Sequence, residues 1–111
     1  MKMTEKLELA QWMREAVVPI VRAKGEHHAA EAFSPANWQM KTSELTLIYA
    51  EGALMRPDDR SPSSLLDIWS SNKKVASLSW QPDRPWQPVD VVRLTSGPWL
   101  ESLKSLVDHQ S

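Results

Sequence analysis

The sequence predicts an α+β fold: an antiparallel meander of about four strands, with an N-terminal and a C-terminal helix packed on one face. Three observations carry this reading. A stripe of apolar residues with helical period opens the chain, runs of period two fill its middle, and a second helical stripe closes it. Consecutive strands joined by short connections pair antiparallel, and flanking helices bury their stripes on such a sheet. At 111 residues, one domain spanning 1–111 is expected, large enough to bury its own core.

The first helix is expected over residues 4–24. Leu9, Trp12, Met13, Ala16, Val17, Ile20 and Val21 form one stripe, and Glu5, Glu8, Arg14, Glu15 and Arg22 lie off it. Thr4 suits the N-cap and Gly25 the position after the C-cap. Pro19 opposes a regular helix, so a kink near residues 15–18, or two short helices, is expected. Residues 26–33 read as weakly helical, and residues 34–37 as a loop.

From Trp38 to Ala50 the period changes to two, with Leu45, Leu47 and Tyr49 alternating with Glu44, Thr46 and Ile48. Residues 38–41 extend this strand or pair with it through a turn at Thr42 and Ser43. Residues 52–64 form a long connection held at the surface by Pro57, Pro62 and their charged neighbours. Residues 65–69 and 75–80 read as a hairpin around Ser70–Lys74. Three prolines make residues 81–88 a connection, residues 89–94 read as a strand, and Pro98 opens a last helix with Leu100, Leu103, Leu106 and Val107 on its stripe.

The hairpin has two competing registers, because loop parity decides which side chains share a face. An even loop puts Leu65, Asp67, Trp69, Ala76, Leu78 and Trp80 on one face. An odd loop puts Leu66, Ile68, Ser70, Ala76, Leu78 and Trp80 there, and moves Trp69 to the face opposite Trp80. Each set holds five apolar residues and one polar one, so pattern alone ties. The prevalence of two- and four-residue loops, centred here on Asn72 and Lys73, favours the even register.

Composition narrows the function classes. There is no cysteine, so disulfides, thiolate chemistry and cysteine-based zinc sites are excluded. Thirteen Lys and Arg balance 14 Asp and Glu, and neither half of the chain is basic, which argues against a nucleic-acid binder. No segment approaches the length of a membrane span or the apolar run of a signal peptide, so the expected setting is the cytosol.

The sequence holds no complete catalytic motif. His27 and Glu31 would share a helix face, but the paired histidines of a zinc-protease helix are missing. Asp58 and Asp59 sit between Arg56 and Arg60 and read as exposed ion pairs. Lys73 and Lys74 read as a solubilising turn, and His109 lies where chains fray. Three glycines cannot build a phosphate cradle, and no serine sits in a nucleophile elbow. No cofactor is implied.

The six tryptophans are the richest signal, beside one Phe and one Tyr. Trp12 belongs to the helical stripe, and Trp38 and Trp99 read as core plugs at element ends. The segment from Trp80 to Pro88 places Arg84 and Trp86 among stiffening prolines, and Trp and Arg are the residues enriched at interface hot spots. Trp69, Trp80, Arg84 and Trp86 are therefore the expected binding residues. The expected function is a small non-enzymatic module that binds a protein partner or its own copy. The alternative is a small-molecule binder taking an apolar or aromatic ligand in a Trp-lined pocket between sheet and helix.

Overall fold

A computed structural model describes residues 2–32, 35–53, 63–81 and 91–110. Its α+β architecture has terminal helices around an antiparallel sheet. The sheet has six strands rather than about four, in sequential order.

The N-terminal helical segment runs as α1 (Met3–Trp12), a π-helical turn (Met13–Val17) and α2 (Val18–Lys24). The irregularity expected from Pro19 falls at that π turn. Pro19 has no N–H to give the preceding turn, and its ring would crowd the carbonyl of Glu15; a widened turn removes both conflicts. The chain stays helical across the junction, with Val18 at φ −55° and ψ −46°. The helix begins one residue earlier than expected, with Lys2 rather than Thr4 at the N-cap.

Gly25 ends the helix in extended conformation, at φ −76° and ψ 160°, not in the left-handed region expected of a residue beyond the C-cap. Space is the reason for glycine here. A Cβ would lie 2.5 Å from the Val21 carbonyl oxygen and 3.2 Å from that of Gln39.

The chain then enters β1 (Glu26–His28), which pairs with β2 (Ala36–Lys41). The weakly helical reading of residues 26–33 is thus corrected over Glu26–His28: tertiary pairing overrides a marginal local preference. The extended backbone at Gly25 directs β1 along the sheet edge, and the His27 ring stacks on Trp38 at 4.7 Å. β2 turns through Thr42–Glu44 into β3 (Leu45–Ala53). The Thr42 hydroxyl accepts the Leu45 N–H at 2.9 Å, and the Thr42 N–H donates to the Leu45 carbonyl at 2.8 Å. β4 (Ser63–Ser70), β5 (Lys73–Trp80) and β6 (Val91–Leu94) complete the meander before α3 (Trp99–Gln110). β2, which pairs with β3 through a turn rather than extending it, and β1, in place of a weak helix, account for the difference between about four strands and six.

The hairpin resolves its tie by combining both possibilities. Its loop is even, with Ser71 and Asn72 at φ 51° and 65° and Ser70 paired to Lys73. Trp69 pairs with Lys74, but Ile68 pairs with Ala76, so Val75 is an extra residue in β5. That bulge shifts the pairing by one and produces the odd-loop register beyond it. The favoured even register is therefore overturned. Leu66 faces Leu78, Ile68 faces Ala76, and Trp69 lies on the side opposite Trp80.

A single core cluster unites Ala10, Met13, Val17, Val18 and Val21 of the N-terminal segment with Trp99 and Leu103 of α3. The same cluster takes Leu45, Leu47, Tyr49, Leu66, Ile68, Ala76, Leu78, Trp80 and Leu94 from alternate positions of the sheet. These strand positions define its inner face.

Candidate partner-binding face

The inner face carries a ladder of rings across the strands. His27 stacks on Trp38, Trp38 on Tyr49 at 5.7 Å, and Tyr49 on Trp80 at 6.1 Å. The helix lays two guanidinium groups over it. Arg22 lies 5.1 Å from the Trp38 centroid, and Arg14 5.6 Å from that of Trp80. Such cation–π contacts contribute about 0.5–1 kcal/mol each where water has access.

Tyr49 links the ladder to a polar cluster. Its hydroxyl donates to Glu51 at 2.8 Å, and Ser64 Oγ lies 3.5 Å from the same oxygen. Arg22 pairs with that Glu51 carboxylate at 3.5 Å. Burial raises the Tyr49 pKa above its ordinary 10.0, and the neighbouring Glu51 adds to the rise while Ser64 and Arg22 oppose it. Trp80 is 4% exposed and Tyr49 5%, so these rings join helix to sheet and offer little surface.

The outer face is read directly from the register. One row runs Lys41, Thr46, Trp69, Lys74 across β2 to β5. The next runs Gln39, Ile48, Asp67, Ser77, Arg93, and a third runs Asn37, Ala50, Leu65, Ser79. Ile48, Ala50, Leu65 and Trp69 therefore gather on the two central strands, with polar residues at the sides. Ile48, Leu65 and Trp69 are half-buried.

Asp67 sits within this strip and is compensated. It accepts the Ser77 hydroxyl at 2.7 Å and pairs with Lys74 at 3.7 Å. The Lys74 ammonium also lies 5.3 Å from the Trp69 centroid. Lys41 and Arg93 have no ion-pair partner among the described residues.

A depression of about 400 Å³ lies at the turn end of this face, lined by Lys41, Thr46, Ile48, Trp69, Ser71 and Asn72 among others. Trp69 is the tryptophan among its lining residues, whereas the small-molecule alternative expects a Trp-lined pocket between sheet and helix. The hollow lies on the outer face.

Of the expected binding residues, the structure places Trp69 on the outer face and Trp80 in the inner ladder, so the two share no surface. Arg84 and Trp86 lie outside the described residues, as do Asp58 and Asp59. Trp12 and Trp38 are half-buried against the core, and Trp99 is 4% exposed within it. His109 faces its own helix, with Nδ1 2.7 Å from the Ser105 carbonyl oxygen.

Sequence reasoning placed Thr46 and Ile48 opposite Leu45, Leu47 and Tyr49 on their strand, but missed Arg14, Arg22 and Lys41 as members of either face. The signal for the arginines is their spacing of eight along the helix, two turns apart at the edge of the stripe. Nothing local flags Lys41, because its place beside Thr46 and Trp69 exists only once three strands are in register.

Among the described residues, no group of three or more His, Asp and Glu side chains is placed to hold a metal ion, and no helix is long and apolar enough to cross a membrane. Comparison with family models, curated proteins and solved structures finds no match to the chain.

Proposed function

We propose that this chain is a non-enzymatic interaction module that docks a protein partner on the outer face of its sheet, with Trp69 as the anchor. The observation that carries this reading is the division of the sheet. Residues of both terminal helical segments join the inner-face core, while Ile48, Ala50, Leu65 and Trp69 lie on the other side within a polar border. An apolar centre with a polar rim is the anatomy of a protein interface, and a half-buried tryptophan suits its centre.

Charge favours a foreign partner over a second copy. With Asp67 compensated by Lys74, the face keeps the cations Lys41 and Arg93. Two such faces brought together would set cation against cation; an acidic surface would complement both.

The test compares wild type with Trp69→Ala and Leu65→Glu in affinity capture from the source cell, beside sedimentation of the free chain. One acidic protein retained by wild type and lost from both variants, with melting temperatures close to wild type, is expected. Undiminished capture by both variants overturns the reading, as does a stable dimer disrupted by the same substitutions.

A further inference from the structure

We propose that the hollow between Lys41 and Trp69 receives the carboxylate of an acidic, extended segment of the partner, a deepening that rests on the docking reading above. The hollow follows from the register. Thr46 is small and stands between the long Lys41 on β2 and the broad Trp69 on β4. Those flanking residues are two strands apart, roughly 10 Å between Cα atoms. The dip between them has a volume of about 400 Å³.

Its chemistry is asymmetric. Trp69 forms one wall and Ile48 part of the lining, both apolar; Lys41 forms the opposite wall. Lys74 lies over the indole from β5, whereas Lys41, Thr46 and Ile48 line the hollow from β2 and β3. Glu44 also lines the hollow and keeps its negative charge, but its carboxylate accepts the Ser102 hydroxyl and is thereby drawn toward α3. Lys41 forms no ion pair among the described residues, and its ammonium faces the Trp69 indole across the hollow. A carboxylate on an apolar stem meets both walls: its oxygens reach Lys41, and its methylenes lie on Trp69 and Ile48.

A peptide segment fits better than a free acid because the hollow is continuous with the strip. Ile48 lines the hollow and neighbours Ala50 and Leu65 on the same face. An extended chain anchored beside Lys41 would present its next alternate side chain to that strip.

The experiment is amide and indole chemical-shift mapping of the full chain with acetyl-Glu-Leu-Glu-Leu-amide, its Gln-Leu-Gln-Leu twin, and 4-methylpentanoate. The acidic peptide is expected to saturate shifts at Lys41, Thr46, Ile48, Asn72 and the Trp69 indole. The amide twin, and the acidic peptide on Lys41→Met, should bind about fivefold more weakly, and added salt should erode the difference. Lys41 is exposed, so Lys41→Met should keep its fold. Trp69→Phe supplies a second variant, expected to weaken both peptides alike. Equal binding of the two peptides at this face overturns the carboxylate anchor and leaves the docking face standing. Shifts confined to the Arg22–Trp38 side of the sheet overturn both. Saturation by 4-methylpentanoate as tight as by the peptide overturns the choice of a segment over a free acid.

Discussion

Trp69 pairs with Lys74 across the hairpin, while its neighbour Ile68 pairs with Ala76 two positions further along. Val75, the residue skipped, is 6% exposed and belongs to the core. One inserted residue therefore lets the strand bury Val75 and Ala76 in succession and still return to alternation. It also separates Trp69 from Trp80 and leaves the indole on the outer face of the sheet.

That separation gives the two tryptophans opposite phenotypes. Trp80→Ala empties a core position and is expected to cost about 3–5 kcal/mol. Trp69→Ala removes a half-buried ring held by one ammonium, and about 1 kcal/mol of stability is expected to go with it. Partner capture should show the reverse order among molecules that remain folded. Urea denaturation of both variants, followed by circular dichroism, checks the ranking; a larger loss for Trp69→Ala would contradict the placement.

The turn itself is improvable. Ser71 and Asn72 both hold positive φ, at 51° and 65°, and two-residue turns with that backbone favour Asn-Gly. Left-handed backbone costs a residue with a Cβ about 1–2 kcal/mol, less for asparagine. The double substitution Ser71→Asn with Asn72→Gly is expected to stabilise the chain by about 0.5–1 kcal/mol. A raised midpoint in thermal melting would register it, whereas a lowered one would mean the turn does not need its left-handed pair.

The limits of sequence reading show in these same residues. Fold class, the terminal helices and the strands built on Leu45–Tyr49 and Val75–Trp80 were legible, because burial imposes periods of 3.6 and two on the apolar positions. The disturbance at Pro19 was legible from the missing N–H, though not its form as a π turn. The register was not, since a bulge reverses parity without changing residue type. β1 was hidden because Glu26–His28 has no apolar alternation, and its order comes from Trp38 and from the end of α2. The site was half legible: Trp69 stood out as a large aromatic, whereas Lys41 and Thr46 acquire meaning only from strands that lie beside them.

Gly25 tests how closely the helix end approaches the sheet. Its backbone angles are ordinary for any residue, so Gly25→Ala carries no conformational penalty there. The new methyl would instead meet the Val21 carbonyl oxygen at 2.5 Å and the Gln39 carbonyl oxygen at 3.2 Å. Both are main-chain atoms, and neither can swing aside without moving α2 or β2. A destabilisation of about 1–3 kcal/mol is expected, measured as a lowered urea midpoint. Gly25→Ala at wild-type stability would show that the junction has room the structure denies it.

Tyr49 gives the chain an alkaline limit. It is the single tyrosine in the sequence, so phenolate absorbance reports it without interference from another phenol. Burial raises its pKa, and Glu51, which accepts its proton in a hydrogen bond, adds to the rise. In the unfolded chain the phenol ionises near 10. Below that pH both states hold the proton and its contribution to stability is complete. As pH climbs past about 10 the unfolded chain releases the proton while the folded chain retains it, so stability falls until the folded pKa is passed. Tyr49→Phe removes this titration. The variant is expected to lose about 1 kcal/mol at neutral pH with the hydrogen bond to Glu51, yet to decline less steeply between pH about 9 and 11. Urea midpoints across that range, set beside an ultraviolet titration of the wild-type phenol, decide it: parallel slopes for the two chains, or a phenol ionising at its ordinary value, would contradict a buried Tyr49 held between Trp38 and Trp80.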